Sequence, residues 1–277
     1  MAMQSRFCLQ RPFPTEAIMM ATVLGTGTSQ GVPVIGCRCS VCCSNDRRDQ
    51  RSRCSLFLRT PDAHILIDTT PELRIQALRE GINRVDHVLI THSHADHIMG
   101  FDDLRRFCEI QSQALPIYAS AATLQTLERI FPYAFDPHNT VSTYVHATPH
   151  PFTGSFQIDN LTIHPLQVPH GNVETHGFLF IHDGRSLLAY FPDCKEMPEP
   201  YYEILNRVDT LILDGLRDEP HPTHLSIPEA LQVIERIAPR RAFLTHLTHQ
   251  KSHVDRLKQL PNGVAPAYDG LQLTWFS

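Results

Sequence analysis

The chain has 277 residues, 42% of them hydrophobic and 19% charged, with a formal net charge of −5 at pH 7. These proportions describe a globular chain long enough to bury a full core, and they exclude collagenous, coiled-coil, low-complexity and disordered classes. Mild acidity demotes nucleic acid as a partner without excluding a local basic groove, and no apolar run approaches the roughly 20 residues of a membrane-spanning helix.

Residues 1–18 carry Pro12 and Pro14 with no periodicity and read as an N-terminal tail; 19–277 read as a single domain. The start lacks the basic and apolar regions of a secretory signal, so a reducing, cytoplasmic setting is expected. Residues 21–24 read as a strand entering the glycine-rich turn Gly25-Thr26-Gly27, and 54–59 with 64–68 as a hairpin. Leu73, Ile75 and Leu78 give 71–80 a helical pattern stopped by Gly81, and 87–90 is a short buried strand. A helix is expected over 124–130, and strands over 161–168, 175–181, 186–191 and 209–213. Residues 227–237 form an amphipathic helix with Ser226 as cap and Pro228 in its first turn. Strands at 242–245 and 271–276 follow. No internal repeat and no long linker are visible. Strands in both halves, each set followed by helices, point to an α/β (α+β) fold of two packed sheets covered by helices.

Seventeen histidines outnumber the 14 phenylalanines, and histidine is both a common metal ligand and a proton carrier near neutral pH. Of eight cysteines, Cys37, Cys39, Cys42 and Cys43 crowd too closely for a disulfide framework, and metal binding explains them better. In His92-x-His94-x-Asp96-His97, four potential ligands lie within six residues directly after a buried strand. A capping loop would account for Asp96 alone. Cys37, Cys39 and Cys42 with His249 would complete a closed, four-coordinate structural zinc site. The alternative is unrelated thiols and a surface histidine, and Cys43 could replace Cys42. Cys8, Cys54, Cys108 and Cys194 read as ordinary thiols.

The His92–His97 loop resembles the signature of the metallo-β-lactamase superfamily, and the resemblance spans residues 21–276. It implies a four-layer αββα sandwich. His92, His94 and His170 would hold one metal, Asp96, His97 and His246 a second, with Asp193 bridging and Asp68 orienting the histidine loop. Taken alone, His170 and His246 would be ordinary hydrogen-bonded histidines and Asp68 a helix cap; their order at strand ends favours the metal site. The run Leu24-Gly25-Thr26-Gly27-Thr28-Ser29-Gln30-Gly31-Val32-Pro33, followed by the cysteines and by Leu244-Thr245-His246-Leu247-Thr248-His249-Gln250, is similar to the phosphoribosyl cyclic phosphate phosphodiesterases of bacterial phosphonate breakdown. Pyrroloquinoline quinone biosynthesis protein B carries a similar cysteine segment. Ribonuclease Z shares the metal loop, but its glycine-rich basic arm is not found here.

The narrower resemblance implies a phosphodiesterase in which a hydroxide bridging two zinc or manganese ions attacks a small phosphodiester, with one structural zinc beside it. Asp96 and His224 would be the catalytic side chains, His224 protonating the leaving oxygen. His221 is expected to be a solvent-facing histidine, and Asp214 a supporting carboxylate or a cap. A ribosyl cyclic phosphate, a cyclic nucleotide or a short oligonucleotide would each fit. The alternatives are hydrolysis of a lactone, thioester or β-lactam by the same fold, or a non-catalytic cofactor-maturation role. The expected partner is a small-molecule phosphodiester, with a homodimer left open and no membrane.

Overall fold

The structure, a computed structural model, describes residues 12–277. In chain order the strands are β1 (Ala17–Gly25), β2 (Ser55–Arg59), β3 (His64–Ile67), β4 (His87–Leu89), β5 (Leu115–Ala119), β6 (Ala147–Pro151) and β7 (Phe156–Ile158). Then follow β8 (Leu161–Val168), β9 (Thr175–His182), β10 (Arg185–Phe191), β11 (Thr210–Asp214), β12 (Arg241–Thr245), β13 (Val264–Pro266) and β14 (Gln272–Phe276). They form two sheets of seven strands, ordered β14-β1-β2-β3-β4-β5-β6 and β13-β12-β11-β10-β9-β8-β7.

Every residue of β2 and of β11 is buried, so these strands need cover on both faces. The two sheets supply one cover by packing on each other through Met19, Leu56, Ile65, Ile163, Phe178, Tyr190 and Trp275. Helices supply the other. Over the first sheet lie α1 (Leu73–Glu80), α2 (Ala95–Ile98), α3 (Arg105–Gln111), α4 (Ala121–Ile130) and α5 (Pro132–Phe135). Over the second lie α6 (Glu199–Ile204), α7 (Ile227–Ile237) and α8 (His253–Gln259). The result is the expected αββα order of layers.

Helix α7 matches its expected bounds because its signals are local: the Ser226 hydroxyl accepts from the Glu229 N–H while the Glu229 carboxylate accepts from the Ser226 N–H. Helix α1 ends at Gly81, whose φ of 67° is the left-handed conformation glycine adopts without penalty. The structure adds strands β5, β6, β7 and β13 and helices α2, α3, α5, α6 and α8, which the sequence reading did not assign, and it moves the starts of β1 and α4. Strand β1 begins at Ala17, so two residues assigned to the tail join the sheet, where Ala17 pairs with Phe276 and Met19 with Trp275. Helix α4 begins at Ala121, one residue after its Ser120 cap. Strand β6, one of the unassigned elements, carries Pro149 and Pro151, which are tolerated because the strand lies at the sheet edge. Cys8 and most of the tail lie outside the described residues. Among the described residues no helix is long and apolar enough to cross a membrane.

Strands β3 to β6 are mutually parallel, as are β10 to β13. Loops leaving the carboxyl ends of β3, β4, β8, β10, β11 and β12 therefore meet at one edge of the sandwich, the position where α/β sheets generally place ligands.

Candidate metal centre

Asp68 follows β3 with φ 62°, and its fully buried carboxylate accepts from Thr91 N at 2.8 Å, Thr91 Oγ1 at 2.9 Å and His97 Nδ1 at 2.8 Å. Three donors compensate a charge that burial alone would not tolerate. Having donated to Asp68, the Thr91 hydroxyl accepts from His92 Nδ1 at 3.0 Å, and His170 Nδ1 donates to the Thr223 carbonyl at 2.8 Å. Each tie places hydrogen on Nδ1 and turns the Nε2 lone pair of His92, His97 and His170 inward.

Those inward atoms converge. His92 Nε2 and His170 Nε2 lie 2.9 and 3.2 Å from His94 Nδ1, and 3.8 and 3.5 Å from Asp193 Oδ2. His97 Nε2 lies 3.2 Å from Asp193 Oδ1 and 3.4 Å from Asp96 Oδ2. His246 Nε2 completes the second side, 3.5 Å from Asp193 Oδ2 and 3.8 Å from Asp96 Oδ2. Two groups result, His92, His94, His170 and Asp193, and Asp96, His97, His246 and Asp193, each close enough to hold an ion and both using Asp193. His246 has φ 57°, a conformation uncommon for a side chain of its type; strained backbone of this kind concentrates at functional sites. Its loop is fixed where Leu247 N donates to the Thr26 carbonyl at 2.9 Å. On its other side the glycine run lets residues 51–53 come close: a Cβ on Gly25 would meet the Arg53 carbonyl oxygen at 1.8 Å.

The donor set fits divalent metal. His97 Nε2, Asp193 Oδ1 and both ring nitrogens of His246 are buried without a hydrogen-bond partner, whereas buried polar atoms are nearly always paired. Nitrogen and carboxylate donors of this mix suit zinc or manganese. Burial, then the neighbouring His97, holds His92 well below its ordinary pKa, which keeps it in the neutral form a ligand requires. Burial opposes charge on His246, but Asp193 and Asp96 outweigh it and push the ring up to about 9. The carboxylates thus demand positive charge at the point where the lone pairs meet.

Beside this centre, β11 delivers Asp214, whose Oδ2 accepts from Cys194 N at 2.9 Å and from His224 Nδ1 at 2.7 Å. The His224 ring stacks on His246 with centroids 4.5 Å apart and 15° between planes, and lies 4.6 Å from His170. Burial lowers His224 to about 4 and raises Asp214 well above the usual carboxylate range. His221 sits 5.2 Å from His224 and accepts from Thr223 N at 3.3 Å. An open cavity of about 510 Å³ lies against His170, walled by Gln167, Asn172, Glu174 and Tyr201.

The sulfur atoms of Cys37, Cys39 and Cys42 lie 3.4, 3.4 and 3.3 Å from His249 Nδ1. All four can face one ion. Cys43 is exposed and outside this group, so the choice left open between Cys42 and Cys43 falls to Cys42. The Cys42 backbone N–H, then His249, lowers the Cys39 thiol to about 6, and burial raises Cys42 to about 11.

All eleven residues expected to bind metal are therefore brought into these three groups. Sequence reasoning missed Thr91, which links Asp68 to His92, and the Thr223 carbonyl that orients His170. Thr91 immediately precedes His92, and its hydroxyl was the available signal; a backbone carbonyl leaves none.

Two packed sheets with these donors at their shared edge define a metallo-β-lactamase sandwich. The chain belongs to the β-lactamase superfamily domain family, whose model matches residues 63–247, from just before β3 to just beyond His246. Within that family it is PhnP-like: it superposes on the crystal structure of a diphosphatase from the PhnP family with a TM-score of 0.85 and 37% identity, over 93% of this chain and 97% of that one. A Porphyromonas gingivalis protein named octanoyltransferase is 36% identical over 92% of this chain, which spans only 51% of that protein. Coenzyme PQQ synthesis protein B of Methylobacterium nodulans is 28% identical over 71% of this chain and 73% of its own length.

Proposed function

We propose that the protein is a metal-dependent phosphodiesterase acting on a small phosphodiester, cyclic ribosyl phosphates and nucleotides included. The observation that carries this reading is the pair of four-residue donor groups sharing Asp193, with the Asp214-held His224 stacked beside them. The likeness to a PhnP-family diphosphatase supports phosphoryl chemistry over carbonyl hydrolysis. Bound through His92, His94 and His170 on one side and Asp96, His97 and His246 on the other, two divalent ions would stabilise charge on the phosphoryl oxygens and lower the pKa of an attacking water.

The chain's own groups do the rest. Water oxygen forms a bond to phosphorus as the bond from phosphorus to the leaving oxygen breaks, and the leaving oxygen takes a proton from His224 Nε2. Asp214 fixes the ring so that Nε2 faces the reaction, and it stabilises the imidazolium before transfer. Asp96, less buried than its partners, accepts the proton of the incoming water. Cys37, Cys39, Cys42 and His249 would hold a structural zinc that clamps the cysteine loop onto the strand-end loop carrying His246. The free thiols at these positions suit a reducing compartment such as the cytoplasm. Octanoyl transfer is not carried over to this chain, because about half of that relative lies outside the match.

The test is a panel on metal-loaded protein: bis- and mono-p-nitrophenyl phosphate, p-nitrophenyl acetate and a chromogenic β-lactam. Preferential hydrolysis of the diester supports the reading. Preference for the acetate or the β-lactam, or no hydrolysis of any, contradicts it.

A further inference from the structure

Four cysteines lie at positions 37–43, and only Cys37, Cys39 and Cys42 face the point that His249 completes. Cys43 stands outside that group and is exposed. The other described cysteines, Cys54, Cys108 and Cys194, are buried elsewhere in the fold. An exposed thiol adds nothing to packing and is open to oxidants, and a second thiol within reach is what turns such a residue into a reversible redox site.

The backbone fixes which sulfur Cys43 can meet. Cys43 N donates to the Cys39 carbonyl at 3.0 Å, closing one helical turn. Residues four apart in such a turn share a face, with Cα atoms about 6 Å apart, inside the range of about 4.4–6.8 Å that a disulfide takes. Cys42 is buried, and as the sequence neighbour its Cα lies only about 3.8 Å from that of Cys43, short of the same range. Cys39 is half-buried, and its sulfur accepts from Cys42 N at 3.4 Å and faces His249 Nδ1 at 3.4 Å. A metal-coordinating thiol is deprotonated, and the thiolate is the form that oxidants attack. This turn is tied to the reaction site, because His249 lies three residues beyond His246 on the same loop.

We propose that Cys39 and Cys43 are a peroxide-sensitive thiol pair, a modification site that closes as a disulfide and ejects the ion from the cysteine group. The oxidant is a hydroperoxide, hydrogen peroxide being the simplest. The Cys39 sulfur attacks one peroxide oxygen, the O–O bond breaks, and the departing hydroxide takes up a proton to become water. Cys39 is left as a sulfenic acid. The Cys43 sulfur then attacks the Cys39 sulfur: the S–S bond forms, the S–O bond breaks, and the leaving hydroxide combines with the Cys43 proton as water. Two thiols are oxidised to one disulfide while the peroxide is reduced to two waters. A disulfide sulfur is no longer a thiolate, so only Cys37, Cys42 and His249 remain, short of the four donors of a closed zinc site. His249 is freed with the ion, and the loop carrying His246 loses its clamp. Hydrolysis falls until a thiol reductant reopens the pair.

The experiment treats zinc-loaded protein with hydrogen peroxide and follows zinc released to a chromogenic chelator, intact mass, and disulfides mapped by peptide mass spectrometry. Wild type should release about one zinc equivalent per chain beyond the untreated control, lose the mass of two hydrogens and yield a peptide linking Cys39 to Cys43. Dithiothreitol with added zinc should reverse all three changes. Cys43→Ser leaves every metal-facing residue in place, so before oxidation its zinc content and activity should match wild type. After peroxide it should show no link from Cys39 to another cysteine; dimedone should mark Cys39 instead, and longer exposure should leave a sulfinic acid that dithiothreitol does not reverse. A wild-type link from Cys39 to Cys37 or Cys42, recovery of C43S as complete as that of wild type, or wild-type thiols that survive peroxide able to oxidise free cysteine would each overturn the pair. If purified protein holds no zinc at the cysteine group, the structural-zinc reading fails by itself, and the mapped link still decides: a bond from Cys39 to Cys43 that C43S lacks supports the pair, and its absence from wild type overturns it.

Discussion

Replacing His224 by alanine should separate substrates by their leaving groups. In the free site burial, above all, lowers the imidazole to about 4, so alone it would be a poor proton donor at neutral pH. Substrate changes that balance. One negative phosphoryl charge about 4 Å from the ring contributes about 4 kcal/mol at an effective dielectric of about 20. That attraction favours the protonated ring, the form in which it can act as a general acid. Loss of the acid is felt in proportion to how poor the leaving group is. H224A should cost roughly 10²–10⁴-fold in kcat on an alkoxide ester such as a ribosyl or nucleoside cyclic phosphate, and under about tenfold on a p-nitrophenyl diester. D214N should show the same pattern more weakly, because it loosens the 2.7 Å hold on Nδ1 without removing the ring. The assay is steady-state kinetics on both substrates at matched metal content. Equal losses on the two would refute the acid role and leave His224 as a phosphate-binding or supporting group.

Cys39→Ser should release one metal equivalent and lower the melting temperature, since structural zinc contributes directly to folding free energy; unchanged metal content and melting temperature would sink the cysteine site. Asp68→Asn weakens the carboxylate that holds both Thr91 and His97, and metal affinity measured by competition with a chromogenic chelator should fall about 10–100-fold with the fold intact. Acid should destabilise the fold even in metal-free protein: burial lowers His64 and His253 to about 4, so between about 6.5 and 4 the unfolded chain takes up protons that the folded one refuses. Stability is therefore fully present above about pH 6.5 and falls as the pH drops towards 4, a slope that urea midpoints should show and that His64→Gln should reduce.

The metal centre was legible because metal ligation uses few residue types, and four of its residues lie together at positions 92–97. His170, Asp193 and His246 were harder, since each is a single residue and only its place after a strand marks it. The fold was legible where local chemistry specified it, as in the capping box of α7, and less so where tertiary context decided. Strand β6 shows the second case: its prolines argue for a loop, and only its edge position admits them. The start of β1 shows it too, because Ala17 is in the sheet through pairing with Phe276, which lies 259 positions along the chain.

The central claim, two ions in one site acting on a phosphodiester, is tested most directly by metal titration. Protein stripped by a strong chelator and restored at the structural zinc site is supplied with zinc or manganese in steps while bis-p-nitrophenyl phosphate hydrolysis is followed. The account predicts activity rising to a plateau at two further equivalents per chain, and no rise for Asp193→Ala. A plateau at one equivalent, or equal activity in metal-free protein, would contradict it.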